Sequence, residues 1–342
     1  MMCSKNPVWG YKIMSKKWLI ILSIAGAVLL SCVGGFLFLS MGLYRIFGAQ
    51  DTPWPVSLHE ARSEHKTQLW KQEDFGERLL PRITHSELEY TSYEGPLGRM
   101  GAIASREVSG LSKPAIIWDF GGFGGIFDGY ADEHPANNDQ SIRQFLDRGF
   151  VVFLPAVRGE HGNPGVFECF YGEVDDLVAA VEHVAARSDV DPERIYLMGH
   201  STGGTNVLLA SAMTDIPAGV VSFGGAPDMA HIVSGGGYGV EPYSMASEVE
   251  VALRSPNRFT KYIQCPVLYI EGSAHDSSAA RAMERRAVGF GVDLRVVIVD
   301  GADHWTVLQP VKGLLADHIG SGKSGLPSSR AIQRAFNAAA KP

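Results

Sequence analysis

The sequence predicts an α/β protein built on an open, mostly parallel sheet with helices on both faces and an antiparallel hairpin at its start. Three observations carry this. Short apolar runs alternate with amphipathic helical stretches from residue 115 to residue 319. The runs are apolar throughout, as strands buried on both faces are, and do not alternate with polar residues. Two β-prone runs, 88–93 and 100–108, come before them, joined by the turn-rich Glu94-Gly95-Pro96-Leu97-Gly98.

In chain order, strands are expected at 115–120, 150–155, 195–198, 219–223, 267–271 and 294–299, with helices near 141–148, 174–186, 202–213, 278–290 and 307–319. The stretch 174–186 shows the reasoning: Val174, Leu177, Val178, Val181 and Val184 recur at spacings of three and four, giving one apolar face, with Asp175, Asp176 and Glu182 expected to point away. Between 226 and 262 the alternation fails. Gly235-Gly236-Gly237-Tyr238-Gly239, Glu241-Pro242-Tyr243 and a helical stretch near 245–253 read as a cap-like insertion over the strand ends. Residues 45–87 are expected to form a connecting arm with a short helix, and 320–342 a C-terminal tail, either a frayed helix or disordered. Within these limits, 88–319 is expected to form the main α/β domain.

The N-terminus carries a different signal. From Trp18 to Tyr44 there is no charged residue, enough helix to cross a hydrocarbon core of about 30 Å. Lys5, Lys12, Lys16 and Lys17 lie in the basic segment 1–17, so a single transmembrane helix over 18–44 would leave the N-terminus cytoplasmic and the remainder extracytoplasmic, periplasmic in a bacterium. The run is too long for a cleaved signal peptide, whose apolar core spans about 7–15 residues. Leu29-Leu30-Ser31-Cys32 also resembles a lipoprotein cleavage site, with Cys32 as the lipid-bearing residue, but Val33 to Leu39 stays apolar where a mature lipoprotein turns polar. The lipid bilayer is therefore an expected partner.

A chain of 342 residues, 45% hydrophobic and 20% charged, is long enough for one large, well-buried domain. Its net charge of -7 and lack of a basic cluster with interleaved aromatics exclude nucleic acid as an expected partner. Two of the four cysteines lie in the leader. Cys169 and Cys265 follow and precede strands at opposite edges of the sheet and are expected unpaired.

Sites in such sheets form at the carboxyl ends of strands, so the residues that follow each strand matter most. After 195–198 comes Gly199-His200-Ser201-Thr202-Gly203, a serine in a glycine-flanked turn between strand and helix. With 39 glycines in the chain, that pattern arises readily by chance and needs context. A serine hydroxyl is a poor nucleophile without a base, and the base needs a carboxylate to fix its tautomer. His304 follows the last strand, and Asp276 follows 267–271 in Gly272-Ser273-Ala274-His275-Asp276. The order Ser201, Asp276, His304 is one of the known orders for this chemistry. His200 lies beside the serine and cannot easily turn back to act as base. Gly121-Gly122-Phe123-Gly124-Gly125 follows 115–120, where glycines let a backbone N–H face the substrate; the Thr202 N–H would be the second donor. A phosphate-cradling loop is disfavoured, since no Lys-Ser/Thr follows. No metal-ligand spacing appears, and no cofactor is expected; Glu160-His161 and His275-Asp276 read as loop polar pairs.

From about 88 to 319 the chain resembles an α/β-hydrolase close to the prolyl oligopeptidase and dienelactone hydrolase branches. The carriers are Phe120-Gly121-Gly122-Phe123, Ala156-Val157-Arg158-Gly159-Glu160-His161-Gly162, Val190-Asp191-Pro192-Glu193-Arg194-Ile195 before the serine, Arg254-Ser255-Pro256 with Cys265-Pro266-Val267-Leu268, and Gly301-Ala302-Asp303-His304. Phe120 stands where the family usually has His. His275 falls where the acid often sits, with Asp276 next to it and Glu271 the fallback acid. The resemblance implies acyl transfer in two steps, with Ser201 attacking, His304 as base, Asp276 behind it, and N–H groups of Gly122 or Phe123 and of Thr202 holding the oxyanion. It implies a small ester or short peptide as substrate: an esterase-like serine hydrolase, with a serine peptidase or an acyltransferase as the alternatives.

Overall fold

The computed structural model describes residues 53–72, 79–323 and 325–340. The expected membrane span at 18–44, the basic segment before it and Cys32 lie outside these residues. Among the described residues no helix is long and apolar enough to cross a membrane.

All eight expected strands form one sheet: β1 (Leu88–Gly95), β2 (Gly98–Ser105), β3 (Lys113–Asp119), β4 (Val151–Pro155), β5 (Val190–His200), β6 (Gly219–Phe223), β7 (Val267–Gly272) and β8 (Leu294–Val299). Their order is β1-β2-β4-β3-β5-β6-β7-β8. β1 and β2 form a hairpin in continuous register from Leu88↔Ser105 to Gly95↔Gly98, and β2 runs antiparallel to β4. β3 to β8 are parallel. The chain leaves β3 towards β4 on one side and builds β5 to β8 on the other, so the crevice between diverging connections lies over the ends of β3 and β5.

Period-two alternation divides the strand residues between two buried layers. Ile117, Ile195 and Leu197 face one, while Ile116, Trp118, Tyr196 and Met198 face the other. The helices are α1 (Leu58–Glu64), α2 (Arg143–Leu146), α3 (Gly172–Ala185), α4 (Thr202–Ala210), α5 (Met229–Ser234), α6 (Glu248–Ala252), α7 (Ser278–Phe290), α8 (Leu308–Gly320) and α9 (Ser329–Ala339). α3 buries Val174, Leu177, Val181 and Val184, as its periodicity requires. Asp176 departs from the expectation: it is fully buried, because Arg158 meets it with two hydrogen bonds of 2.9 and 2.8 Å. Helical periodicity cannot register a charge neutralised by a partner from another loop.

The tail also differs from expectation. α9 begins at a true N-cap, Ser328, whose side chain accepts from Ala331 N–H, and it packs against the sheet with Ile332 fully buried. Arg295 of β8 donates to the carbonyls of Leu326 and Pro327, fixing the approach to that helix. Cys169 and Cys265 are separate, buried free thiols.

Candidate active site

The turn after β5 puts Ser201 in a left-handed backbone conformation, φ +55°, which a non-glycine residue adopts only under constraint. The constraint is visible. Ser201 N–H donates to the Phe223 carbonyl at 2.7 Å, and α4 starts immediately after the serine. A Cβ at Gly199 would lie 2.5 Å from the carbonyl of Gly203, so strand and helix can cross here only with glycine.

Ser201, His304 and Glu271 line one cleft of about 300 Å³. His304 lies in the connection between β8 and α8, and its Nδ1 is 2.9 Å from Glu271 Oε2. With Nδ1–H donating to that carboxylate, Nε2 is left as the basic nitrogen. Glu271 is buried, and its other oxygen accepts from Gly272 N–H at 2.7 Å. The Ser–His–carboxylate arrangement can take a proton from a hydroxyl and stabilise the resulting imidazolium.

Asp276 does not stand behind His304. It lies four residues beyond β7, with its side chain 60% exposed, and accepts from the N–H and Oγ of Ser278 at 2.8 and 3.0 Å. Those bonds hold its carboxyl below the usual range, and His231 Nε2 lies 3.7 Å away. The carboxylate facing His304 is thus Glu271, on the strand itself, whose extra methylene lets it reach the imidazole. His275 lines the same cleft with its ring 5.2 Å from that of His304.

His200 is fully buried between the Gln140 side chain and the His304 carbonyl, which Nε2 meets at 3.2 Å. Burial, followed by the proximity of His304, pushes it down to about 3, so the ring is neutral at any working pH. Its contacts make it a prop for the His304 loop.

The glycine loop lies beside the serine turn. Thr202 Oγ1 donates to the Gly122 carbonyl at 2.6 Å, tying loop to helix. Thr202 is the first residue of α4, where an N–H has no acceptor within its own helix. Among the described residues, none of the N–H groups of Gly122, Phe123 and Thr202 donates to a protein acceptor. Free donors at a helix start beside a nucleophile are what a developing oxyanion needs. The Phe123 ring packs against Phe167, Phe170 and Tyr238, so Phe123 joins the loop to the 226–262 segment. That segment forms much of the cleft wall through Ala226, Asp228, His231, Ile232 and Tyr238. Among the described residues no group of three or more His, Cys, Asp or Glu side chains is arranged to hold a metal ion.

The sequence reading did not single out Asp119 and took Glu160 only as a loop polar residue: Asp119, at the end of β3, is hydrogen-bonded to Asn206 of α4 at 2.9 Å, and the Glu160 carboxylate accepts from Val157 N–H at 3.2 Å. Both line a small cavity that also touches Gly122, Phe123 and Thr202. Neither the apolar run that ends at Asp119 nor the loop that carries Glu160 signals the other in the sequence.

Known proteins resemble this chain to different extents. The Bacillus subtilis (strain 168) protein described as uncharacterized peptidase YtmA is 40% identical over 90 residues, 26% of this chain and 35% of its own length. An uncharacterized protein of Mycobacterium tuberculosis is 29% identical over 209 residues, covering 60% of this chain and 68% of that protein. The fold matches that of a Pyrococcus horikoshii acylaminoacyl peptidase with a TM-score of 0.58 at 14% identity, over 72% of this chain and 44% of that one. An esterase of Pyrococcus furiosus matches with a TM-score of 0.52 at 15% identity, over 75% of this chain and 97% of the esterase. The chain thus spans about a third of the first of these relatives and nearly all of the last. The profile of the prolyl oligopeptidase family matches residues 137–307, which take in the serine turn, β7 and the His304 loop, and the chain belongs to that family of serine hydrolases.

Proposed function

We propose that this serine hydrolase cleaves small carboxylic esters or thioesters through an acyl-enzyme formed on Ser201. His304 takes the serine proton and returns it to the leaving group; Glu271 holds the imidazole in the required tautomer; the N–H of Thr202, with that of Gly122 or Phe123, receives the oxyanion. Water then releases the acyl group. The observation that carries this reading is the convergence on one cleft of a strained serine at φ +55° and a histidine bonded to a buried carboxylate at 2.9 Å. A cleft of about 300 Å³ suits a small acyl group, and an ester asks less leaving-group protonation of His304 than an amide does.

Peptidase activity on short peptides is the second reading. It is favoured by family membership and by Asp228 and Asp276 at the cleft, where a free amino group would find carboxylates. Membrane anchoring through 18–44 remains part of the proposal and is tested by fractionating cells that express the full chain.

A fluorophosphonate probe tests the catalytic assignment. Wild type should label at one site and Ser201→Ala should not; equal labelling of both proteins removes Ser201 from the mechanism. A panel of acyl esters and aminoacyl amides then separates the two readings by the ratio of their kcat/KM values.

A further inference from the structure

Beneath the glycine loop lies a second cavity, of about 20 Å³, which accommodates about one water molecule and no substrate group. Its polar lining includes Asp119, Glu160, Asn206 and Thr202, and Glu173 of α3 also reaches it, with its oxygens taken up by the N–H groups of Glu168, Cys169 and Tyr171. Asp119 ends β3 immediately before the loop and accepts from Asn206 Nδ2 of α4 at 2.9 Å. Glu160, in the connection after β4, accepts from Val157 N–H at 3.2 Å and sits against the loop: a Cβ at Gly125 would lie 2.9 Å from Glu160 Oε2. Asn206 is 8% exposed, and its Oδ1 has no hydrogen-bond partner among the described residues. Oδ1 thus lacks a protein donor, which a carboxyl proton in the cavity supplies and ionised carboxylates do not.

We propose that Asp119, Asn206 and Glu160 form a proton-sharing positioning unit for the glycine loop: one carboxyl proton, kept on Glu160, lets both carboxyls face the same cavity and supplies the missing donor. The inference rests on the assignment of the Gly122, Phe123 and Thr202 N–H groups to the oxyanion. With Glu160 neutral, the pair places one negative charge under those N–H groups, on Asp119, anchored to the nucleophile helix through Asn206. Loss of the proton places a second negative charge where the oxyanion must develop and weakens its stabilisation.

The titration follows from the surroundings. Burial, then the charge of Asp119, pushes Glu160 up to about 8. Burial pushes Asp119 up to about 6 against the hydrogen bonds from Asn206 and Phe120 N–H. Glu173 and Asp176 of α3 face Glu160 with the same sign, Asp176 being neutralised by Arg158. Tyr93 of β1 faces it too but stays protonated, pushed well up by burial. His161, next in the chain, accepts from Ile126 N–H through Nε2 and so presents no proton on that nitrogen.

The test is the pH profile of kcat/KM for an activated ester, from about pH 6 to about pH 10, in wild type, Glu160→Gln and Asp119→Asn. Wild type should lose activity on an alkaline limb near pH 8. Glu160→Gln, a permanently neutral isostere, should lose that limb while keeping the neutral-pH rate within about threefold. Asp119→Asn should move the limb to lower pH, since Glu160 then sheds its proton without a charged neighbour. Lys312, which burial pulls down to about 8, could produce a limb of its own; only a Glu160-linked limb disappears in Glu160→Gln. An unchanged limb in Glu160→Gln, or, should that variant not fold, an unshifted one in Asp119→Asn, overturns the proposal. A readout without turnover keeps it separate from the hydrolase assignment: between about pH 6 and about pH 9 the Tm of wild type should fall more steeply than that of Glu160→Gln. Parallel Tm curves reject proton sharing even if Ser201 proves catalytic, whereas Ser201→Ala with full activity rejects the hydrolase mechanism and leaves the Tm comparison to decide the proton.

Discussion

At the residue scale, the carboxylate behind His304 is where reading and structure part. Counting residues past a strand end leads to Asp276, since loop positions usually carry such groups. Glu271 lies within β7, in an apolar run where one charged residue reads as a strand edge, and only the fold brings it within 2.9 Å of the imidazole. Kinetics should separate the two. Glu271→Gln replaces an acceptor by an amide that can favour the wrong tautomer, and should lower kcat by about 10²- to 10⁴-fold with little change in KM. Asp276→Asn keeps the bonds that start α7 and should stay within about threefold of wild type. A large loss in Asp276→Asn with none in Glu271→Gln would reverse the assignment. Ser201 and His304 were legible because each follows an apolar run in a glycine-containing turn, a local signal. Asp119 and Glu160 were not, because a shared cavity between three elements leaves no pattern in any one of them.

Among the elements, the strands were readable for a simple reason: residues buried on both faces must be apolar, and apolar runs stand out. The polar clamp at the start of α3 was not. Cys169 and Phe170 both adopt left-handed backbone conformations, φ +57° and +65°, without being glycine. Three charged side chains, one local and two from distant segments, hold them there. Glu173 accepts from the N–H groups of Glu168, Cys169 and Tyr171; Arg254 donates to the carbonyls of Glu168 and Cys169, and Arg62 of α1 to those of Phe170 and Tyr171. The Tyr171 ring lies 4.6 Å from one guanidinium and 4.8 Å from the other. Held in this way, Phe170 packs on Phe123 of the glycine loop with centroids 5.8 Å apart. The connecting arm, read from sequence as a link carrying a short helix, is thus part of the support for the candidate site. Arg254 also pairs with the buried Glu250 at 2.6 Å, so Arg254→Met strands a carboxylate as well as two carbonyls. It should cost about 3–5 kcal/mol in denaturant unfolding. Arg62→Met should cost less and, if the clamp supports Phe123, should lower kcat while the protein is still folded. Unchanged kcat in Arg62→Met would confine the arm to stability.

For the molecule as a whole, the buried ionisable groups make stability depend on pH in a direction that composition does not suggest. The net charge of -7 counts every carboxyl as ionised, whereas the interior holds carboxyls that resist ionisation. Burial pushes Asp119 up to about 6, Glu173 to about 7 against its three N–H donors, and Glu160 to about 8. In the unfolded chain these groups ionise near 3.8 and 4.5, so above those values the folded state holds protons that the unfolded state has released. Their contribution is fully present below the unfolded values and is lost as pH rises through the folded ones. Two other buried groups act outside that range. His200, held near 3 against its ordinary 6.5, favours folding as pH rises, but only below 6.5. Lys312, lowered to about 8 from 10.5, does so only above 8. Between pH 6.5 and pH 8 the carboxyls therefore act alone among these groups, and Tm should fall steadily across that interval at constant ionic strength. Glu173 contributes to the lower half of the fall and Glu160 to all of it. A Tm that is flat or rises over the interval would mean that the cavity carboxyls are already ionised in the folded protein at neutral pH, with Asn206 Oδ1 obtaining its donor elsewhere.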